Sequence, residues 1–301
     1  VVNDRMETSA PDIYAVGDAV QVKHFVTGQD TLLSLAGPAN KQGRIAADNI
    51  AGIPSVYRGA QGSSVLKVFD MTAAATGLSE RAARDAGLDA DSALLFSPEH
   101  ASYYPGGRNM TLKVVYERAG GRILGAQCIG FGGVEKRVDV LATAVRAKMT
   151  AEDLTDLDLC YAPPYSSAKD PVNMAGYVIG NIRAGIVRQH TWQDVPALAA
   201  DPNVLFLDVQ TPPEYAAAHI DGAVNIPVDE LRSRLGELDK SKTICVNCYS
   251  GLRSYIACRI LSANGFACSN LAGGIRFYAV VAQGGGYDGV ARHLCGLPAE
   301  R

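Results

Sequence analysis

Cys248 is the residue of this sequence best placed for nucleophilic chemistry. It follows an apolar, β-branched run at 243–247 and precedes a helix predicted to begin near Ser254, so it stands in a strand-to-helix loop. In a parallel sheet, such loops lie at the carboxyl end of the strands, where ligands bind. Backbone N–H groups of the turn and of the helix N-terminus favour a thiolate and also the terminal sulfur of a persulfide.

The residues around Cys248 suit a loop that holds a sulfur anion. Gly251 permits the positive φ that a tight turn requires, and Arg253 adds a cation at the mouth of the loop. The alternative interpretation is a buried structural cysteine at the end of a strand. The predicted persulfide loop consists of Cys248, Tyr249, Ser250, Gly251, Leu252 and Arg253.

Cys245 and Cys248 form the only C-x-x-C spacing in the sequence. Two interpretations of Cys245 stay open: it packs inside the sheet, or it resolves a disulfide with Cys248. The seven cysteines are an odd number and are scattered, a pattern typical of buried or catalytic thiols rather than disulfides. Because no second pair or histidine cluster completes a zinc site, no metal is predicted.

Composition excludes several classes of function. The chain is 48% hydrophobic and 20% charged with a net charge of -3, which argues against a nucleic-acid-binding surface and against an acidic disordered tail. No apolar run approaches the roughly 18 residues that a membrane span needs. The sequence starts without a signal segment or an initiator methionine, so we expect a cytoplasmic protein and the C-terminal portion of a longer polypeptide.

Three blocks follow one another along the chain, and together they predict an α/β and α+β multidomain protein. Residues 1–54 contain a short strand at 13–16 and a helix at 39–50. Residues 60–186 alternate strands, a hairpin and amphipathic helices, which favours an α+β domain with an antiparallel sheet. Residues 187–301 alternate strand, loop and helix, which favours an α/β domain with a parallel sheet.

The third block resembles the rhodanese-like domain over nearly its whole length. By that resemblance, Cys248 accepts sulfane sulfur, and the loop backbone with Arg253 holds the persulfide. The matching segments occur in the family's order, at 207–209, 214–220, 222–227, 248–253 and 271–275.

Departures from the rhodanese pattern narrow the class of sulfur donor that we expect. Gln210 stands where the family usually has arginine, which weakens an expected ion pair of the fold. Tyr249 and Leu252 make the loop less cationic than in members that use thiosulfate. We therefore expect an organic persulfide, rather than thiosulfate, as the donor.

The first block resembles the second flavin motif of the two-dinucleotide-binding disulfide reductases. The resemblance covers 8–18 and continues into the helix at 35–44. It implies that Gly17 and Asp18 contribute to FAD binding, with the Asp18 carboxylate accepting hydrogen bonds from the ribityl hydroxyls. Residues 1–186 contain no G-x-G-x-x-G, so neither the adenine end of FAD nor NAD(P)H has its phosphate cradle in the first two blocks.

The middle block resembles the dimerisation domain of the same superfamily, and 161–176 resembles the signature of its coenzyme A-disulfide reductase and NADH oxidase branch. The resemblance implies a homodimer in which two tyrosines reach the partner's active cysteine. We assign Tyr103 and Tyr161 to this role, with Tyr104 as the alternative to Tyr103. A phenol can donate a hydrogen bond to a thiolate; otherwise these tyrosines are interface aromatics.

Together the resemblances imply part of a flavin-dependent NAD(P)H reductase of coenzyme A disulfide, persulfide or polysulfide, with a rhodanese domain that carries sulfane sulfur on Cys248. FAD would be bound fully only by the intact protein, and NAD(P)H and coenzyme A would be its substrates. One alternative is an NADH oxidase or peroxidase whose rhodanese domain is incidental. Another is a rhodanese domain that acts only as a docking or regulatory module.

Overall fold

The structure of the protein is a computed structural model, and it describes residues 1–285. The chain divides into two compact units, one formed by residues 1–92 and 97–177 and the other by 93–96 and 178 onward. One contains an antiparallel sheet and the other a parallel sheet, which confirms the predicted fold class.

Residues up to 183 form a helix-covered antiparallel sheet with the strand order β3-β4-β7-β6-β5, and a separate two-stranded ribbon, β1-β2. The strands are β1 (Val22–Lys23), β2 (Asp30–Thr31), β3 (Ser64–Val68), β4 (Met71–Gly77), β5 (Ala90–Pro98), β6 (Asn109–Glu117) and β7 (Ile123–Gly130). The helices are α1 (Ala36–Ile50), α2 (Glu80–Asp85), α3 (Val134–Ala147), α4 (Ala151–Asp156) and α5 (Pro171–Arg183).

Local sequence signals account for most of these helices. The residues of α3 that recur at helical spacing are all buried, as an amphipathic helix against a sheet requires: Val134, Val138, Leu141 and Val145. Thr150 caps α4 in a capping box with Asp153, and Ser79 caps α2 by accepting from the Ala82 N–H.

The strand predicted at 13–16 is not formed. Tyr14 pairs only with Glu7, as an isolated antiparallel bridge, and a short 3-10 helix (Gly17–Ala19) follows. A β-strand needs a ladder of hydrogen bonds to a neighbouring strand. The described residues give this apolar run only one bridge partner, so the run does not form a strand. The short helix still presents Gly17 and Asp18 on a tight turn.

The second unit is a five-stranded parallel sheet in the order β10-β9-β11-β12-β8. Its strands are β8 (Gln189–His190), β9 (Val204–Asp208), β10 (Val224–Asn225), β11 (Thr243–Asn247) and β12 (Cys268–Leu271). Its helices are α6 (Val195–Ala199), α7 (Pro212–Ala217), α8 (Leu252–Ala263) and α9 (Gly274–Gly285), with a 3-10 turn at Leu235–Glu237.

The register of β9 and β11 places the candidate reactive residues at the edge of the sheet where both strands end. Asn247 lies opposite Asp208, and Cys248 follows directly. Ile244, Val246 and Cys248 belong to one buried cluster, whereas Cys245 belongs to another. The alternation is the two-residue period of a strand that is buried on both faces.

Among the described residues, we find no helix that is both long enough and apolar enough to cross a membrane.

Candidate functional site

The Cys248 thiol lies at the carboxyl end of β11 and is buried, with 1% of the residue exposed. Its Sγ accepts hydrogen bonds from the Gly251 N–H and from the Ser254 hydroxyl, both at 3.2 Å. The sulfur therefore faces donors, which suits a group that carries negative charge. Ser254 was missed as a site residue, although its place at the start of the predicted helix was a usable signal.

The helix that follows begins two residues earlier than predicted, at Leu252. Gly251 occupies its N-cap position with φ of 101°, a left-handed conformation that glycine adopts without strain. As a result, Arg253 lies in the first helical turn rather than in the loop. Tyr249 and Ser250 are half-buried, and Leu252 is exposed.

The carbonyls of the loop are bound by the N-terminus of α9 and by β12. The Ile275 N–H donates to the Cys248 carbonyl at 2.8 Å, and the Arg276 N–H donates to the Tyr249 carbonyl at 3.0 Å. Asn270 Nδ2 donates to the Gly251 carbonyl at 3.2 Å. The loop carbonyls are thus held from outside, while the Gly251 N–H donates to the sulfur.

Arg253 is not the isolated cation that the sequence suggested. Its two Nη atoms donate to the two carboxylate oxygens of Glu214 at 2.7 and 2.8 Å, because α7 brings Glu214 to the start of α8. This bidentate pair, together with hydrogen bonds from Thr211, lowers the pKa of Glu214 from 4.5 to about 2. Glu214 lies in the rhodanese-like segment 214–220, but nothing in the sequence pairs it with Arg253.

We expect Glu214→Gln to remove a contribution to the free energy of unfolding that is present at neutral pH and lost at acid pH. A carboxyl whose pKa is lowered by folding stabilises the protein above its ordinary pKa, and this contribution disappears as the pH falls from 4.5 towards 2. The melting temperatures of the two proteins should therefore differ at pH 7 and converge across that interval. A constant difference down to pH 2 would contradict the pairing.

Gln210 replaces the expected ion pair with hydrogen bonds. Its side chain donates to Asp208 Oδ2 at 3.0 Å and to the Ala218 carbonyl at 3.2 Å, while Asn247 donates to the same carboxylate at 2.7 Å. All three polar side chains of this cluster are fully buried, and burial raises the pKa of Asp208. The neutral side chains of Gln210 and Asn247 thus donate to the Asp208 carboxylate, where an arginine was expected to pair with it.

Cys245 packs in the sheet and does not face Cys248. It is fully buried against Phe206 and Leu271 on the opposite face of β11, with Ser269 Oγ 3.7 Å from its sulfur. Because neighbouring residues of a strand alternate between faces, a residue three positions before Cys248 points away from it. Of the two interpretations of Cys245, the geometry supports packing.

Tyr103 and Tyr161 come together in the first unit, where their hydroxyls are 2.9 Å apart. Both side chains are exposed, whereas the Tyr104 ring lies edge-on to His100. The geometry thus favours Tyr103 over Tyr104 as the partner of Tyr161, and the catalytic role of the pair stays a prediction.

The hydrogen bond between the two hydroxyls favours the protonated form of Tyr161 and raises its pKa above the ordinary value. We expect Tyr103→Phe to lower that pKa towards the ordinary value, whereas Tyr104→Phe should leave it unchanged. Ring-labelled tyrosine NMR across an alkaline titration measures both variants. Equal titration of Tyr161 in the two variants would exclude the contact in solution.

Arg137 holds the segment that carries Tyr161. It is 1% exposed and pairs with buried Asp170 at 3.0 Å. The same guanidinium group donates to the Glu99 and Tyr165 carbonyls and to Ser166 Oγ. The buried ion pair therefore ties the segments before Tyr103 and after Tyr161 to one helix. No pattern in the sequence distinguishes Arg137 from the other charged residues of α3.

The predicted flavin residues have features that suit part of a flavin. Gly17 has φ of 82° and donates its N–H to the side chain of buried Gln42 at 2.7 Å. Asp18, the next residue of the turn, is exposed. Helix α1 begins at Ala36 without a side-chain cap, so no side chain occupies the N–H groups of Ala36 and Gly37 at its N-terminus. Residues 1–285 contain no cluster of His, Cys, Asp and Glu arranged to hold a metal ion.

Two families match the chain. Residues 63–171 match the dimerisation domain of the pyridine nucleotide-disulphide oxidoreductases, and residues 191–279 match the rhodanese-like domain. Cys248, Arg253 and Glu214 lie within the second match, and Tyr103 and Tyr161 within the first.

Solved structures cover nearly all of the chain. The reduced CoADR-RHD of Bacillus anthracis is 44% identical with a TM-score of 0.91, over 94% of this chain and 51% of that one. An NAD-dependent persulfide reductase from A. fulgidus is 40% identical with a TM-score of 0.83, over 91% of this chain and 49% of that one.

Curated relatives match a shorter part. A coenzyme A disulfide reductase of Staphylococcus aureus is 36% identical over 58% of this chain and 40% of its own length. An NADH oxidase of Methanocaldococcus jannaschii is 36% identical over 58% of this chain and 39% of its own length. The chain thus spans about two fifths of these relatives and half of the solved chains.

Proposed function

Because the chain joins a dimerisation domain of the pyridine nucleotide-disulphide oxidoreductase family to a rhodanese-like domain, we propose that it is part of a flavin-dependent NAD(P)H reductase of coenzyme A disulfide, coenzyme A persulfide or polysulfide. Its rhodanese-like domain carries sulfane sulfur on Cys248. The names of the relatives support the substrate class. The single observation that carries the sulfur-transfer role is Cys248 Sγ between the Gly251 N–H and the Ser254 hydroxyl.

Sulfur loading is an exchange between two sulfur–sulfur partners. The Cys248 sulfur attacks the outer sulfur of a persulfide R–S–SH, a new S–S bond forms, and the old one breaks. The thiol RSH leaves with the proton that Cys248 gives up, and Cys248–S–SH remains. The Gly251 N–H and the Ser254 hydroxyl are the donors beside the sulfur that changes charge during this step.

An organic persulfide fits the mouth of this loop better than thiosulfate does. Leu252 is 62% exposed, and the charge of Arg253 is balanced by Glu214. Arg276 lies 5.8 Å from the Tyr249 ring centroid, so one further cation stands near the loop. A dianion would find little net positive charge among these groups, whereas an apolar arm such as pantetheine would find Leu252.

The reductase chemistry belongs to a homodimer in this proposal. Tyr103 and Tyr161 would donate hydrogen bonds to the partner's cysteine thiolate, which their exposure permits. FAD would be held in part by Gly17 and Asp18, and when bound it supplies electron transfer from NAD(P)H to sulfur. A cytoplasmic location remains an expectation from the sequence.

Treatment with coenzyme A persulfide tests the sulfur-carrier role. We expect the intact mass of the chain with Cys160, Cys268 and Cys295 changed to serine to rise by one sulfur atom, and the gain to vanish when Cys248→Ser is added. Cys245→Ser is the matched control, since this thiol lies on the other face of the strand and its variant should still load. Loading that persists in Cys248→Ser would overturn the role.

The NADH oxidase of Methanocaldococcus jannaschii among the relatives favours a second candidate, an NADH oxidase or peroxidase with an incidental rhodanese domain. Product analysis of the flavin-loaded enzyme that contains this chain separates the two. Release of one sulfide per NAD(P)H from a persulfide supports the reductase. Oxygen or peroxide consumption without sulfide supports the oxidase or peroxidase.

A further inference from the structure

A second pair of thiols lies in the rhodanese-like domain and has no part in the proposed loading step. Cys258 lies on α8 and Cys268 begins β12. The Cys268 thiol donates to the Cys258 carbonyl at 3.4 Å, which places the Cys268 sulfur against Cys258. Ser262 Oγ lies 3.3 Å from the Cys268 sulfur. The two cysteines therefore face each other between a helix and a strand.

The environments of these two thiols differ. Cys258 is 1% exposed and belongs to the apolar core, whereas Cys268 is half-buried and lines a cavity of about 230 Å³. Arg188, Ser262 and Phe266 line the same cavity. Only Cys268 is thus presented to a space that a small molecule can enter, and a cation stands beside it.

The charge distribution assigns different roles to the pair. The hydrogen bond from Cys258, those involving Ser262 and the charge of Arg188 together lower the pKa of Cys268 to about 6. The same thiol–thiol contact and burial raise the pKa of Cys258. Near neutral pH, Cys268 is therefore the thiolate that can attack, and Cys258 keeps its proton.

We propose that Cys258 and Cys268 form a second redox site, at which an anionic low-molecular-weight disulfide oxidises the pair to a protein disulfide. The Cys268 thiolate attacks a sulfur of R–S–S–R, forms Cys268–S–S–R and releases one thiolate RS⁻. Cys258 then attacks the Cys268 sulfur, the mixed disulfide breaks, and the second thiol RSH leaves with the proton of Cys258. Two protein thiols are oxidised, and one small disulfide is reduced to two thiols.

Arg188 gives the site its preference for an anionic disulfide, because its charge faces the cavity that the attacking sulfur lines. Glutathione disulfide, which carries carboxylates, should react faster than cystamine, which carries ammonium groups. Arg188→Gln should remove most of that difference. Equal rates for the two disulfides in the wild-type cavity would overturn the preference.

The experiment uses the full chain with Cys160, Cys248 and Cys295 changed to serine, so that the exposed thiol, the sulfur carrier and the one cysteine outside the described residues do not react. Cys128 is an internal control, since burial raises its pKa to about 12. After treatment with glutathione disulfide, we expect the intact mass to fall by two hydrogens and peptide mapping to show a Cys258–Cys268 cross-link.

Two variants in the same background separate the steps. Cys258→Ser should stop at a stable glutathione adduct on Cys268, and Cys268→Ser should form neither an adduct nor a cross-link. An adduct on Cys258 or Cys245 at the parent rate would overturn the proposal. If a variant fails to fold, the parent cross-link decides alone, and a folded parent without it also overturns the proposal.

Discussion

A Gly274→Ala substitution is expected to lower sulfur transfer at Cys248 by roughly 100-fold, the order of loss that a displacement of about 1 Å causes at a reacting centre. Gly274 has φ of 61°, and a Cβ at this position would lie 2.4 Å from the Cys248 carbonyl oxygen and 2.8 Å from the Ser250 nitrogen. These atoms are backbone atoms of the sulfur loop, so the loop itself would have to move.

The same substitution should also lower the free energy of unfolding by about 3 kcal/mol, from left-handed strain of about 1–2 kcal/mol and overpacking of about 1–3 kcal/mol. Gly265→Ala is the matched control. It has a similar φ of 80°, but a Cβ there meets no atom within 4 Å. It should carry only the strain and keep its activity. Cyanolysis of the Cys248 persulfide measures the activity. An equal loss of activity in both variants would contradict displacement of the loop as the cause.

An Arg137→Met substitution is expected to lower the free energy of unfolding of the first unit by about 3–5 kcal/mol, as breaking a buried ion pair does. Most of this loss comes from the Asp170 carboxylate, because Asp170 is 3% exposed and would be left without its cation. The Val172 N–H and the Ser166 hydroxyl would still donate to Asp170, but neither neutralises its charge.

Urea unfolding followed by two probes, one in each unit, measures this effect. The double variant Arg137→Met with Asp170→Asn should recover part of the loss, because no buried charge remains unpaired. Arg118→Met is the control in the same unit. Arg118 is 56% exposed in its pairs with Asp89 and Asp91, so these surface pairs should contribute no more than about 1 kcal/mol. If the control destabilised as much as Arg137→Met, burial would not be the cause.

Loss of Arg137 also tests how the tyrosines are held. Arg137 donates to the carbonyls of Glu99 and Tyr165, which lie four residues from Tyr103 and Tyr161 in the chain. We therefore expect the Tyr161 pKa to fall towards its ordinary value in Arg137→Met, as in Tyr103→Phe.

The sequence by itself determined many of the local elements and the order of the two matched domains. Apolar residues at helical spacing account for α3, and the capping residues Ser79 and Thr150 account for the starts of α2 and α4, because these signals act between residues a few positions apart. The β-branched run before Cys248 likewise predicted β11 with its observed limits. Spaced family segments then identified the dimerisation and rhodanese-like domains that the comparisons match.

Tertiary structure alone decided which distant groups meet. Glu214 neutralises Arg253 from 39 positions away, Arg137 holds Asp170 from 33 positions away, and Gly274 supports a loop that begins 26 residues earlier. No local pattern encodes such pairs, since they depend on the sheet register and on the angle at which each helix lies on the sheet. The sequence could therefore select Cys248 as the candidate nucleophile, while only the folded chain showed which donors surround its sulfur.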